Sequence, residues 1–238
     1  LTLDFSKTPE WIDSIYLITQ DTDGEERLFE INRGDFFPSM EMSISKNTHR
    51  IGIYGNISSM RYDKGFVIPY GNCCDKLYTS FIKTECRDDI AYEEVSFRKD
   101  FIDINIKLLG EPEDDERIKV SLTGHSIGYD PSGKIIDGAF YHAPSVLTYR
   151  GDSPSYVICS STVSRQTDNE LSLQILDVTQ NGYTEILNVS LSEKLKEAGI
   201  SMESQNLGDL FLTIDLSHSS MSISVIGFDA KDQIHISI

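Results

Sequence analysis

Alternation dominates the middle of the chain. Between Phe101 and Gly110, Ile102, Ile104, Ile106 and Leu108 fall on one side of an extended backbone, and Asp103, Asn105 and Lys107 on the other. Ile118, Val120 and Leu122 alternate in the same way with Lys119, Ser121 and Thr123. A period of two with one apolar face predicts half-buried strands, because successive side chains of a strand point to opposite faces. The polar link Glu111–Arg117 is too short for a crossover helix. The two runs are therefore expected to form an antiparallel pair, with the second strand stopping at Gly124–Gly128.

The same signal recurs along the chain. Before residue 97 it predicts strands over Trp11–Gln20, Arg27–Asn32, Ser39–Ser45, Arg50–Ile57, Gly65–Tyr70 and Leu77–Thr84, with Asp89–Tyr92 as a loop or edge. Asp21-Thr-Asp-Gly24 supplies a hairpin turn between the first two. Ile51 and Ile53 are expected to point inward, and Gly55 marks a candidate bulge. Later strands are predicted over Ile127–Tyr129, Ser155–Ser164 and Glu170–Val178. A closing hairpin joins Leu210–Leu216 to Met221–Val225, and a last strand covers Ile234–Ile238. One helix interrupts the pattern. Ser190-Leu-Ser-Glu193 fits a capping box, Leu191, Leu195 and Ala198 follow at helical spacing, and Gly199 sits at the C-terminal cap. The expectation is an all-β, mostly antiparallel protein of two β-sandwich domains, residues 1–97 and 98–238, the second with one short helix.

Composition narrows the function. At 238 residues and 39% hydrophobic, the chain can bury a real core. Its formal net charge of −17 repels phosphate, which argues against nucleic-acid partners and against a basic membrane-binding patch. No apolar run approaches the length of a membrane span. The chain begins at Leu1 rather than Met, which is read as a start inside a longer precursor, with room upstream for a removed signal peptide or a lipid-attachment cysteine. The four cysteines, Cys73, Cys74, Cys86 and Cys159, show no C-x-x-C spacing, which removes the usual zinc and redox frames. Cys86 is within reach of Cys73 or Cys74 across a hairpin, with buried thiols as the alternative.

Candidate chemistry is thin. Gly124-His-Ser-Ile-Gly128 fits the G-x-S-x-G nucleophile elbow, with Ser126 as nucleophile and His142, His218 and His235 downstream. An elbow must enter a helix, yet Tyr129-Asp-Pro-Ser-Gly133 is turn chemistry. Asp21-Thr-Asp-Gly-Glu-Glu26 resembles the start of a calcium loop, but the twelfth position is Asn32 and both flanks read as strands. The acidic run Glu111–Glu116 reads as a solvated loop. Trp11 is the only tryptophan and is expected in a core or staple role. Tyr141, Tyr149 and Tyr156 are candidates for a glycan-stacking surface. No catalytic, cofactor or metal residues are assigned, so function is expected at a sheet edge, a loop cluster or a terminus.

The order of segments resembles FimB-like fimbrial anchor lipoproteins. The resemblance rests on Glu94-Val-Ser-Phe-Arg-Lys-Asp-Phe-Ile-Asp-Ile-Asn-Ile-Lys107, with Arg98 and Lys99 at the domain join, then Ile118–Gly124 and the Tyr129–Gly133 turn. Glu170–Leu176, the helix Leu191–Ala198, the closing hairpin and Arg50-Ile-Gly-Ile-Tyr-Gly-Asn56 also fit. The tryptophan often found after that hairpin is missing, with Phe228 in its place. The resemblance implies two transthyretin-like sandwich domains in a surface-exposed, non-enzymatic outer-membrane lipoprotein without cofactors. It implies a type V pilus partner: a pilin donates an extended strand to a groove or edge of the anchor, whose position this sequence leaves unknown. A glycan-binding surface lipoprotein on the same scaffold is the alternative.

Overall fold

The computed structural model describes residues 1–46, 48–84, 90–110, 117–149, 156–166, 170–179, 182–197, 199–204, 207–216, 220–226 and 233–237. In the first part of the chain the elements are β1 (Thr2–Asp4), β2 (Ser14–Asp21), β3 (Glu26–Asn32), α1 (Arg33–Phe36), β4 (Ser39–Glu41), β5 (Thr48–Gly55), β6 (Arg61–Tyr62), β7 (Phe66–Val67), β8 (Tyr78–Lys83), β9 (Tyr92–Glu94) and β10 (Arg98–Lys99). There follow β11 (Phe101–Leu109), β12 (Ile118–Tyr129), β13 (Ile135–His142), β14 (Leu147–Tyr149), β15 (Tyr156–Ser164), β16 (Ser172–Thr179), β17 (Gly182–Ser190), α2 (Leu191–Glu197), β18 (Asp209–Asp215), β19 (Ser220–Ile226) and β20 (Gln233–Ser237). The protein is all-β and mostly antiparallel, with a sandwich architecture.

Two compact units are formed. The first comprises Leu1–Val67, Asp75–Asp100 and Gly128–Ile136; the second comprises Ile68–Cys74, Phe101–Ile127 and Asp137–Ile238.

In the first unit one sheet runs β10-β8-β5-β2-β3, and a smaller one runs β4-β1-β9. Leu3, Phe5, Ile12, Ile15, Leu17, Phe36, Ile51, Ile53 and Val95 close one core, and all are fully buried. Ile51 and Ile53 point inward as expected. Trp11 does not join this core: it precedes β2 and is 62% exposed, packing only obliquely on Tyr78 with ring centroids 6.3 Å apart. The predicted strand over Ser39–Ser45 shrinks to β4, and Gly55 pairs regularly with Ile15 and Tyr78 rather than forming a bulge. The 57–60 segment is pinned by one side chain. The Asp75 carboxylate accepts the backbone N–H groups of Ser58 (2.8 Å), Ser59 (2.8 Å) and Met60 (3.0 Å) and both serine hydroxyls (2.7 Å each). Burial alone would raise this carboxyl, but those hydrogen bonds outweigh it and hold it below the ordinary value.

In the second unit one sheet runs β14-β15-β11-β18-β19-β20. β16 pairs with the Ile118–Thr123 half of β12 and, on its other side, with β17. The expected antiparallel pairing of the 101–109 and 118–123 runs is therefore wrong: β11 lies between β15 and β18, and β12 joins a different ladder. Alternation fixes which face of a strand is buried, not which strand it pairs with. The link from Gly110 to Arg117 is long enough to pass between sheets packed about 10 Å apart. The predicted faces are correct in both strands, since Ile102, Ile104, Ile106, Leu108, Ile118, Val120 and Leu122 are all buried. A one-residue slip of β11 would turn four of these outward at a cost of roughly 6–12 kcal/mol, which is why its register is firmly set.

The helix α2 starts as its sequence dictates. The Ser190 hydroxyl accepts the Glu193 N–H at 3.2 Å. The Ile200 N–H returns to the Leu195 carbonyl at 2.8 Å, closing the far end. Leu191 and Leu195 face inward, and Ser192 docks the helix on the start of β16 by exchanging hydrogen bonds with Leu171.

Candidate partner-binding surfaces

The serine motif is structural. β12 does not stop at Gly124; it runs through the whole Gly124–Gly128 segment to Tyr129. Ser126 is 1% exposed, and its hydroxyl has no hydrogen-bond partner among the described residues. The buried Gln166 amide explains the motif instead. Its Oε1 accepts the N–H groups of His125 (2.9 Å) and Ser126 (3.0 Å), and its Nε2 donates to the Ser126 carbonyl (2.9 Å). A Cβ at Gly124 would lie 2.2 Å from that Oε1, so glycine there admits the amide. At Gly128, φ is +157° and a Cβ would lie 1.8 Å from the Phe66 carbonyl, so glycine there lets β7 approach. His142 sits elsewhere, hydrogen-bonded to Ser161 at 2.7 Å, and burial lowers its pKa. His218 lies outside the described residues, as do Cys86, Phe228 and the Glu111–Glu116 loop.

The calcium-like segment is a hairpin turn. Asp21 Oδ1 accepts the N–H groups of Asp23 and Glu25 at 3.0 and 2.9 Å, locking the turn between β2 and β3. Arg98 and Lys99 form the short β10, and the Arg98 guanidinium is paired with the fully buried Asp100 at 2.9 Å. Cys73 is an exposed free thiol, whereas Cys159 is buried, and burial pushes its thiol up to about 12.

Sheet edges are the surfaces the strand order leaves for partners. β17 is the longest terminal strand, but its register with β16 slips between Ile175 and Leu176, leaving Ile186 unmatched. Such a bulge spoils an edge for strand addition. β14 has three residues, too few for an extended partner. β3 is different. It is terminal in its sheet and pairs with β2 over seven positions without a break. Leu28 and Phe29 are both exposed, one on each face of the strand.

The tyrosine trio divides into two stacks within the second unit. Tyr149 stacks on Tyr156 with centroids 4.9 Å apart and planes 21° apart. Tyr141 stacks instead on Tyr70, at 5.5 Å and 17°. Lys107 Nζ lies 4.2 Å from the Tyr156 ring centroid. Beside this stack, a groove of about 560 Å³ crosses the outer face of β14, β15, β11 and β18. Tyr70, Lys107, Leu147 and Phe211 were not singled out by sequence reasoning. The available signal was apolar residues on outward-facing positions: Ile158 beside Ser160 and Thr162, and Phe211 between Asp209 and Thr213.

No protein-family model matches this chain, and no curated protein matches it in sequence. Solved structures do match in fold. A candidate adhesin from Bacteroides thetaiotaomicron superimposes with a TM-score of 0.68 at 16% identity, covering 100% of this chain and 97% of that one. The fimbrial anchor protein Mfa2 from Porphyromonas gingivalis gives 0.63 at 14% identity, covering 98% of each chain. A candidate polysaccharide-binding protein from Bacteroides thetaiotaomicron gives 0.70 at 10% identity, covering 99% and 97%. The chain thus has the fold of fimbrial anchor and adhesin structures along essentially its whole length.

Proposed function

We propose that this chain is a non-enzymatic cell-surface protein of the fimbrial anchor type that holds a pilin by strand addition. The observation that carries this reading is the full-length fold it shares with an adhesin and a fimbrial anchor. An anchor of this kind sits at the outer membrane, with a lipid attached upstream of Leu1. The unbroken β3 edge supports the mechanism. An added strand gains backbone hydrogen bonds of about 0.5–1.5 kcal/mol each along the edge and covers Leu28 on one face and Phe29 on the other. The test is titration of a purified pilin whose donor strand is free. Binding that disappears when the donor strand is deleted supports the reading; equal binding with and without that strand contradicts it.

A second reading, glycan binding, is favoured by the exposed Tyr149–Tyr156 stack and by the fold shared with a candidate polysaccharide-binding protein. A glycan array probed with the purified protein tests it, and a blank array removes it.

A further inference from the structure

We infer that the groove on the outer face of β14, β15, β11 and β18 is a saccharide site selective for acidic sugars, of the uronic-acid class. The inference rests on the glycan reading and specifies its ligand. The groove's volume, about 560 Å³, falls within the range of small-ligand sites. Its walls are apolar. Leu147, Ile158 and Phe211 are 62%, 39% and 40% exposed, a concentration of large apolar side chains on a face whose neighbouring positions are polar. Its floor is polar. Ser160, Asn105 and Phe211 form one cross-strand row, and Leu147, Ile158 and Lys107 the next. No hydrogen bond to the side chains of Asn105 or Ser160 is found among the described residues.

The ligand class follows from what this face can offer. β11 is hydrogen-bonded on both sides, to β15 and β18, while β15 is paired with β11 along its length and with β14 over Tyr156–Ile158. A peptide strand laid across β11 therefore finds no open backbone edge. Hydrogen bonds to a ligand must come from side chains, which suits a ligand that brings its own hydroxyls. A pyranose does so, and its C–H face packs on an apolar wall such as Phe211.

The sign of the charge is the specific clue. The chain carries 38 acidic and 21 basic residues, so an average surface here is negative. The described residues lining the groove include no carboxylate, and Lys107 is the one charged side chain among them. Its ammonium rests on the Tyr156 ring without an anionic partner among the described residues. A cation held by a ring, beside exposed apolar walls in a strongly acidic protein, is complementary to a sugar carboxylate.

The test uses the whole chain and a panel of galacturonate, guluronate/mannuronate and glucuronate-containing oligosaccharides, each beside its methyl ester. Binding by calorimetry should favour the free acids over the esters by about ten-fold or more and weaken as salt rises. Lys107→Met should erase that preference, Lys107→Arg should keep it, and Phe211→Ala should weaken acid and ester alike. Unchanged thermal unfolding of each variant confirms that the fold persists. Equal binding of acids and esters overturns the acidic-sugar inference while leaving glycan binding intact. A panel that stays blank, together with a blank neutral array, overturns the inference and the glycan reading with it. A pilin whose binding is lost in Lys107→Met and Phe211→Ala assigns the groove to protein and overturns the inference also.

Discussion

Gln166 and Gly124 form a pair whose energetic coupling can be worked out before it is measured. Gln166→Ala removes the acceptor from the His125 and Ser126 N–H groups. Each buried N–H left unsatisfied costs about 1–3 kcal/mol, so the variant should lose about 3 kcal/mol. Gly124→Ala should cost nearly the same, because its Cβ would stand 2.2 Å from Gln166 Oε1 and drive the amide away from both N–H groups. In the Gln166→Ala background that obstacle is gone. The three atoms nearest the added Cβ all belong to Gln166, and the backbone at Gly124 is one an alanine can adopt. There the second substitution should be neutral within about 0.5 kcal/mol. The predicted coupling is therefore about 3 kcal/mol, far outside the additivity expected of independent sites. Urea unfolding followed by far-UV circular dichroism reads it. Tryptophan fluorescence does not, because Trp11 lies in the other unit. With a slope of about 2 kcal/mol/M, each single variant should lower the midpoint by about 1.5 M, and the double variant by about the same amount. Additive losses, with the double variant down by about 6 kcal/mol, would refute the structural account of the serine motif.

Two further outcomes follow from the same geometry. The Asp75 carboxyl is held below its ordinary value in the folded state, so its contribution is present above the unfolded value, about pH 4, and is lost as pH falls through the lower folded value. Asp75→Ala should cost about 2 kcal/mol at neutral pH and flatten the acid limb of a stability-versus-pH profile; an unchanged limb counts against the assignment. Cys73 should react with a disulfide reagent in the native protein, while Cys159, buried and with its thiol pushed up to about 12, should react only on unfolding. Peptide mapping that finds native-state labelling at Cys159, or none at Cys73, contradicts this placement.

What the sequence made legible was local. Strands with strict alternation, such as β11, β15 and β18, lie where the pattern put them, and the capping box at Ser190 opens α2. Pairing was not legible, because a half-buried strand carries no mark of its neighbour, and β11 and β12 entered different ladders. β17 escaped notice for a physical reason: the bulge at Ile186 shifts the phase of its alternation midway. β13 carries Gly138 in its centre and buries little beyond Phe140, so its pattern is weak. The surface features failed differently. The stack of Tyr149 on Tyr156 joins two strands in one register position, whereas Tyr141 found Tyr70, far away in sequence. Lys107 read as one more polar residue on a solvent face. Only the neighbours that β15 and β18 bring to it make that position distinctive.

Addition of a pilin strand to the β3 edge is open to a direct test by amide hydrogen exchange. The chain is measured alone and with a pilin whose donor strand is free. New protection should concentrate in Glu26–Asn32 and vanish when the donor strand is deleted. Protection confined to other strands, or none at all in a complex that forms, would contradict strand addition at β3.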